Sequence, residues 1–226
     1  MHLNLFAMNT ITDFINRDFR PIDSKDTIAE VLDFFADVNF SHFPVTEEGI
    51  YIGSVSAEDV ETFEPEKTLA NYRYAIEVFF ARTTTNWFDV LEVFARNHTD
   101  VVPVLDAENK YAGYYEISDI VKFFNDTPFL KDPGGIIVVE KGILDYSMGQ
   151  VVQIVESNNA KILGTFVSGS TNDTIQITVK IAMGSINEII QTFRRYDYEI
   201  ISEHNEDNYL NSLKERSDYL DKYLNI

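Results

Sequence analysis

The sequence contains no cysteine and few basic residues for a chain of 226 residues. Without cysteine, disulfides, thiolate nucleophiles and cysteine-ligated zinc sites are excluded, and this absence is typical of an intracellular protein. Only 18 lysines and arginines stand against 37 aspartates and glutamates, which leaves a formal charge of −19. Nucleic acids and anionic membranes need a basic surface, so we expect neither as a partner.

Long apolar runs and common catalytic motifs are absent as well. No stretch reaches the roughly 18 uncharged apolar residues of a membrane span. The start of the chain has no cationic region and reaches Asp13 early, which argues against a signal peptide. We find no G-x-S-x-G, H-E-x-x-H, G-x-G-x-x-G or phosphate-binding loop motif, and the four histidines lack metal-ligand spacing. We therefore expect a cytoplasmic protein that is not an enzyme and holds no metal.

The chain contains an internal repeat with an offset of 59 to 60 residues. Each copy begins with a helix that is predicted by apolar residues at the spacing i, i+3, i+4, i+7. These residues are Ile28, Val31, Leu32 and Phe35 in the first copy, and Trp87, Val90, Leu91 and Phe94 in the second. Thr27 with Glu30 predicts a capping box, and Asn86 with Asp89 predicts a similar start.

Two strands and a short helix are predicted to follow in each copy. A proline-containing apolar run comes first, namely Phe43-Pro44-Val45 or Val102-Pro103-Val104. A polar turn and a strand ending in glycine come next, and an aspartate six residues after that glycine is expected to start the helix. Two unrelated amphipathic helices are the alternative interpretation, but they would not match position by position over a whole repeat.

This order of elements resembles the cystathionine-β-synthase (CBS) domain. The resemblance depends on Ser41 to Val45 with Gly53 to Asp59, and on Val101 to Val104 with Gly113 to Asp119. It covers residues 8–125 and implies that the two copies pack as one pair, often called a Bateman module. Such modules usually dimerise and commonly sense adenine nucleotides.

The family's ligand signature is a glycine, a threonine or serine three residues later and an aspartate six residues later. The first copy keeps it as Gly53, Ser56 and Asp59, whereas the second copy has Glu116 in place of the hydroxyl before Asp119. The resemblance implies that the aspartate accepts hydrogen bonds from ribose and that the hydroxyl reaches ribose or phosphate. Because Glu116 would repel a phosphate, we expect at most one competent site per pair.

The apolar residues beside the prolines are expected to form a slot for a flat base. The predicted ligand-binding residues are Ser56, Asp59, His42, Phe43, Pro44, Val102, Pro103 and Asp119. His42, Arg82 and His98 are the candidate cations, and so small a supply favours adenosine or a monophosphate over a triphosphate. A purely structural role is the alternative, since aspartate or serine at a helix start caps free amides for about 0.5–2 kcal/mol.

The last third of the chain has a different pattern. Proline and glycine within 126–128 and 132–135 predict a linker. The following residues predict the order βαββαβ, a ferredoxin-like arrangement, with capping boxes at Ser147 and Ser185 and alternating apolar residues from Ile175 to Ile181. This order resembles the ACT domain. The Pro-Gly that ACT ligand loops carry is missing from residues 145–149, so pairing or packing is a better interpretation than amino-acid binding.

We therefore predict an α+β chain with a tandem CBS domain pair over 1–127 (repeats at about 8–66 and 67–127), a ferredoxin-like ACT-like domain over 128–205 and a C-terminal helix over 206–226. This order resembles AcuB-type proteins, named for acetoin utilisation. The leading interpretation is a regulatory homodimer that senses AMP, ADP, ATP or adenosine and needs no cofactor. The alternatives are an interaction module with a degenerate ligand site that regulates an unidentified protein partner, and an enzyme whose site no motif reveals.

Overall fold

The structure is a computed structural model that describes residues 11–184 and 186–202. The chain divides between Phe124 and Asn125 into two compact units. Two predictions lie outside the described residues, namely the capping box at Ser185 and the helix over 206–226. Among the described residues, no helix is both long enough and apolar enough to cross a membrane.

The two repeats of the amino-terminal unit contain the same elements in the same order. The first repeat consists of β1 (Ile22–Asp23), α1 (Ile28–Asp37), β2 (His42–Glu47), β3 (Ile50–Ser56) and α2 (Ala57–Val60). The second consists of β4 (Ala81–Arg82), α3 (Trp87–Arg96), β5 (Val101–Leu105), β6 (Tyr111–Glu116) and α4 (Ile117–Asn125). Two 3₁₀ segments precede β1 and β4, at Ile11–Phe14 and Leu69–Ala75. Each repeat forms one three-stranded sheet, in the orders β1-β2-β3 and β4-β5-β6.

The long helices begin where their capping residues predict. Thr27 accepts a hydrogen bond from the amide of Glu30, and the Glu30 carboxylate accepts one from the amide of Thr27, so the capping box is confirmed. Asn86 caps α3 by accepting from the amides of Phe88 and Asp89. Both helices pack their predicted apolar faces into the core of their own repeat, except that the half-buried Trp87 packs against Phe123 and Phe124 of α4.

The two repeats exchange the segments that precede their first strands. The backbone of Asn16 pairs with Tyr114 of the second repeat, with N–O distances of 2.8 and 3.0 Å. The backbone of Glu77 pairs in the same way with Ser54 of the first repeat, at 2.7 and 2.9 Å. Apolar side chains of each exchanged segment join the core of the opposite repeat. This exchange ties the two sheets into one unit.

Gly53 and Gly113 make the exchange sterically feasible. Their φ angles are +142° and +136°, which side chains rarely adopt. A Cβ at Gly113 would lie 2.4 Å from the carbonyl oxygen of Asn16, and one at Gly53 would lie 2.4 Å from Cγ2 of Ile76. The glycine of the signature is therefore required by backbone packing, whether or not a ligand binds.

The carboxy-terminal unit has the predicted βαββαβ order. Its elements are α5 (Pro128–Lys131), β7 (Gly134–Gly142), α6 (Met148–Ser157), β8 (Ile162–Ser170), β9 (Thr174–Ala182), α7 (Ile186–Arg195) and β10 (Glu199–Ile200). The strands form one antiparallel sheet in the order β10-β7-β9-β8, which is the ferredoxin-like split βαβ arrangement. Both long helices pack on one face of this sheet around a core that includes Ile137, Val139 and Phe193.

The predicted linker differs from the structure at both of its ends. Gly134 and Gly135 belong to β7. Glycine is needed at position 134, since a Cβ there would lie only 1.9 Å from the carbonyl oxygen of Ile181 on β9. Pro128 begins the short helix α5, and its neighbour Phe129 lies against Gly164 of β8. The glycines and proline thus serve strand pairing and helix initiation at these positions, and not chain flexibility.

Candidate ligand-binding site

The signature residues of the first repeat lie where β3 ends and α2 begins. Ser56 is the N-cap of α2, and its Oγ accepts a hydrogen bond from the amide of Asp59 at 3.0 Å. Asp59 is the third residue of the helix, so the prediction that it starts the helix is wrong. The corresponding prediction for Asp119 is wrong for the same reason, because α4 begins at Ile117. Serine takes the capping position because its short hydroxyl reaches the amide three residues later.

The carboxylate of Asp59 lies in the first turn of α2. It is half-buried, and the part of the chain that the structure describes provides it with no hydrogen bond or ion pair. The Ser56 hydroxyl oxygen accepts the capping hydrogen bond, and its O–H can still donate to another group. His42 lies opposite Ser56 in the β2–β3 ladder, and its ring meets Phe79 edge to face at 5.9 Å between centroids. Among the predicted site residues, Ser56 therefore lies next to both Asp59 and His42.

The four predicted apolar site residues are buried in the protein. Phe43 is fully buried and stacks on Phe40 in the first core, with centroids 5.6 Å apart and planes at 4°. Val102 is fully buried in the second core. Pro44 and Pro103 are buried within β2 and β5. A base-binding slot formed by these residues stays a prediction.

Arg82 is engaged away from the candidate site. Its guanidinium donates to the carbonyl oxygen of Asp106 at 3.2 Å and to Oδ1 of Asn109 at 2.8 Å, which ties β4 to the turn between β5 and β6. His98 lies in the turn after α3 with a φ of +48°. Among the three predicted cations, only His42 thus lies beside Ser56.

In the second repeat, the carboxylates of Glu116 and Asp119 already have hydrogen-bond partners. The side-chain Nδ2 of Asn16 donates to Oε1 of Glu116 at 3.1 Å and to Oδ2 of Asp119 at 2.9 Å. Lys122 donates to Oδ1 of Asp119 at 2.9 Å. Burial and the charge of Asp119 raise the pKa of Glu116. The carboxylate of Asp119 is therefore already satisfied. The surroundings of Asp59 are termed the first cleft, and those of Asp119 the second cleft.

Sequence reasoning missed Asn16 and its counterpart Glu77. Both residues precede the stretches that were compared, and they stand 61 residues apart where the repeat offset is 59 to 60. Ile15-Asn16 aligns with Ile76-Glu77 when the repeat is extended upstream, and this match would have identified both residues. What that alignment cannot show is that each segment crosses to the other repeat.

The comparisons with known proteins agree with this fold. The CBS domain family model matches the chain twice, over residues 11–64 and 75–126. The inosine-5'-monophosphate dehydrogenase of Methanocaldococcus jannaschii is 20% identical over 152 residues, which cover 67% of this chain and 31% of that protein. The chain therefore matches less than a third of that relative's length.

Solved structures resemble about half of the chain. A CBS domain pair/ACT domain protein from Thermotoga maritima is 19% identical with a TM-score of 0.47, over 51% of this chain and 96% of that one. CBSX2 in complex with AMP is 17% identical with a TM-score of 0.41, over 50% of this chain and 93% of that one. Two matches to one family model, on two repeats of the same architecture, lead to one conclusion. Residues 11–126 of this chain are a tandem pair of CBS domains.

Proposed function

We propose that this protein is a non-enzymatic regulator whose CBS pair binds an adenine nucleotide or nucleoside beside Ser56, Asp59 and His42. The observation that carries the proposal is the difference between two equivalent aspartates. Asp119 is held by Asn16 and Lys122, whereas the half-buried Asp59 has no partner among the described residues. A ligand with suitable donors would give the Asp59 carboxylate the kind of hydrogen bonds that Asp119 receives from Asn16 and Lys122.

A ribose supplies the donors that this cleft lacks. Its two adjacent hydroxyls can each donate to one oxygen of Asp59, and the Ser56 proton can donate to ribose or phosphate. The exposed carboxylate of Glu77 belongs to the segment that pairs with Ser54, two residues before Ser56. With a chain charge of −19 and few cations, the site favours adenosine or a monophosphate over a triphosphate.

We further propose that the ligand state is transmitted through a homodimer in which the carboxy-terminal unit is an ACT-like pairing domain. Its element order and its antiparallel sheet support this assignment. On the sheet face opposite α6 and α7, where the short helix α5 places Phe129 against Phe166, Ile136 and Phe166 keep 49% and 48% of their surface exposed. Amino-acid binding is not part of the proposal, because residues 145–149 lack the Pro-Gly of ACT ligand loops. Light scattering of the full chain tests the dimer.

A thermal-shift series with adenosine, AMP, ADP, ATP and S-adenosylmethionine tests the ligand. A ligand at 100 times its dissociation constant adds about 2.7 kcal/mol to the free energy of unfolding, which raises the melting temperature by several degrees. Asp59→Ala should abolish the shift. Glu58→Ala is the matched control, because Glu58 is exposed on the same helix. No shift at millimolar concentration contradicts the proposal, and a full shift with Asp59→Ala places the site elsewhere.

An interaction module is the second candidate function. Two observations support it: Asn16 occupies the carboxylates of the second cleft, and Ser56 serves as a helix cap. This candidate predicts a protein that co-purifies with a protein partner and whose melting temperature does not respond to adenine compounds. An adenine nucleotide in the electron density of crystals grown without additives would contradict it.

A further inference from the structure

We infer that Asn16 closes the second cleft of the CBS pair and so limits each chain to one ligand, an inference that rests on the proposed adenine site at Asp59. Nothing in the signature residues of the second repeat requires this closure. It depends on a residue that precedes the first repeat and crosses to the second.

The side chain of Asn16 offers the two carboxylates what a ribose would offer. Its amide group has two N–H donors, and the nitrogen lies 3.1 Å from Oε1 of Glu116 and 2.9 Å from Oδ2 of Asp119. Lys122 occupies the other oxygen of Asp119 at 2.9 Å. A ribose that approached Asp119 would therefore have to displace an amide and compete with an ammonium group.

The backbone keeps this amide in place. Asn16 exchanges two hydrogen bonds with Tyr114, at 2.8 and 3.0 Å, and its carbonyl lies against Gly113. Because Tyr114 is only two residues from Glu116, these bonds hold the side chain within reach of both carboxylates. The closure therefore belongs to the folded repeat pair and does not depend on a loop.

The corresponding groups of the first cleft are unable to close it. Glu77 makes the equivalent backbone pair with Ser54, but a carboxylate side chain has no N–H to donate to Asp59. Thr62 stands where the second repeat has Lys122, and its hydroxyl donates to the backbone carbonyl of Asp59 at 2.7 Å, not to the carboxylate. These two differences between the repeats leave the Asp59 carboxylate without a partner among the described residues, whereas Asp119 has two.

Isothermal titration calorimetry of the full chain with adenosine tests the inference. Adenosine has no phosphate for Glu116 to repel, so Asn16→Ala alone should raise the stoichiometry from one to two per chain. Asn16→Ala keeps the backbone pair with Tyr114. Glu77→Ala is the matched control at the equivalent position, and it should leave the stoichiometry at one. Should Asn16→Ala fail to fold, Asn16→Ser replaces it, because that hydroxyl is too short to bridge both carboxylates.

The outcomes separate this inference from the proposed function. A folded variant that still binds one adenosine overturns the closure by Asn16. If the wild type binds none and the variant binds one, the site at Asp59 fails while the closure stands. If neither protein binds adenosine, both fail. In the double variant Asn16→Ala with Asp59→Ala, one remaining adenosine would place the new site in the second cleft.

Discussion

Ser41 and Asp100 occupy equivalent positions of the two repeats, and they hydrogen bond to each other. Oδ1 of Asp100 accepts from the amide of Ser41 at 2.9 Å and from its hydroxyl at 2.8 Å, and the amide of Asp100 donates to the Ser41 hydroxyl at 3.2 Å. Their carbonyls accept from the first residues of α2 and α4. Nδ1 of His42 lies 3.0 Å from the Ser41 hydroxyl. Equivalent residues of two repeats can meet only near the axis that relates the repeats, so this contact lies on that local axis. The contact of Ser41 with His42 places the axis beside the candidate site.

Ser41→Ala and Asp100→Ala should destabilise the pair through the same bond. Ser41→Ala removes the hydroxyl bond to the Asp100 carboxylate, and Asp100→Ala removes both bonds that this carboxylate accepts. A hydrogen bond to a charged group contributes about 1.5–3 kcal/mol to the free energy of unfolding, so Asp100→Ala should cost more. The double variant should lose less than the sum by roughly 1 kcal/mol, because the two residues share the interaction. Urea unfolding followed by fluorescence of Trp87, the only tryptophan of the chain, reports on this unit. Asp33→Ala on the exposed face of α1 is the control, and additive losses would contradict the coupling.

Gly113→Ala should destabilise the pair more than Gly49→Ala. Both glycines have positive φ angles, +136° and +80°, but a Cβ at Gly49 meets no atom within 4 Å. Gly49→Ala therefore carries only backbone strain, about 1–2 kcal/mol, whereas Gly113→Ala also pushes against the carbonyl of Asn16. Urea midpoints of the two variants test this. Equal losses would show that the contact with Asn16 relaxes at no cost.

The local pattern of the chain predicted α1 and α3 because capping and an apolar face are properties of neighbouring residues. Thr27 and Glu30 are three residues apart, and the bond between them forms in any helix that begins there. The same is true of the β2–β3 and β5–β6 hairpins, whose strands are adjacent in the chain. Elements of this kind depend little on the rest of the fold.

The candidate site was less predictable because its contacts join distant parts of the chain. Asn16 and Asp119 are 103 residues apart, and a single asparagine carries no periodic signal. Arg82 was a candidate cation by composition, but its partners lie in the turn after β5, to which β4 brings it. The continuous apolar run around Phe43 fits either a base-binding slot or a strand buried on both faces, and sequence alone does not separate the two.

Tyr115→Phe should stabilise the protein, whereas Tyr51→Phe should destabilise it. The hydroxyl of Tyr115 is buried, which raises its pKa to about 12, and it has no hydrogen-bond partner among the described residues. Removing an unsatisfied buried hydroxyl gains about 1 kcal/mol or more. The hydroxyl of Tyr51 donates to the carbonyl of Phe79 at 2.6 Å, so its removal should cost about 0.5–1.5 kcal/mol. Urea unfolding of both variants tests the contrast, and a loss with Tyr115→Phe would indicate a buried water on that hydroxyl.

Glu116→Gln should raise the melting temperature at pH 7 but not at pH 4. Burial and the neighbouring Asp119 raise the pKa of Glu116 above its usual 4.5, so the folded protein holds this proton more tightly than the unfolded chain. The charged form therefore opposes folding at neutral pH, and the penalty fades as the pH falls through the folded pKa toward 4.5. Glutamine keeps the oxygen that accepts from Asn16 and removes the charge. Glu108→Gln, in an exposed turn, is the control for loss of one negative charge from the chain. Scanning calorimetry at both pH values measures the difference, and an equal gain at pH 4 would contradict this account because Glu116 is then already protonated.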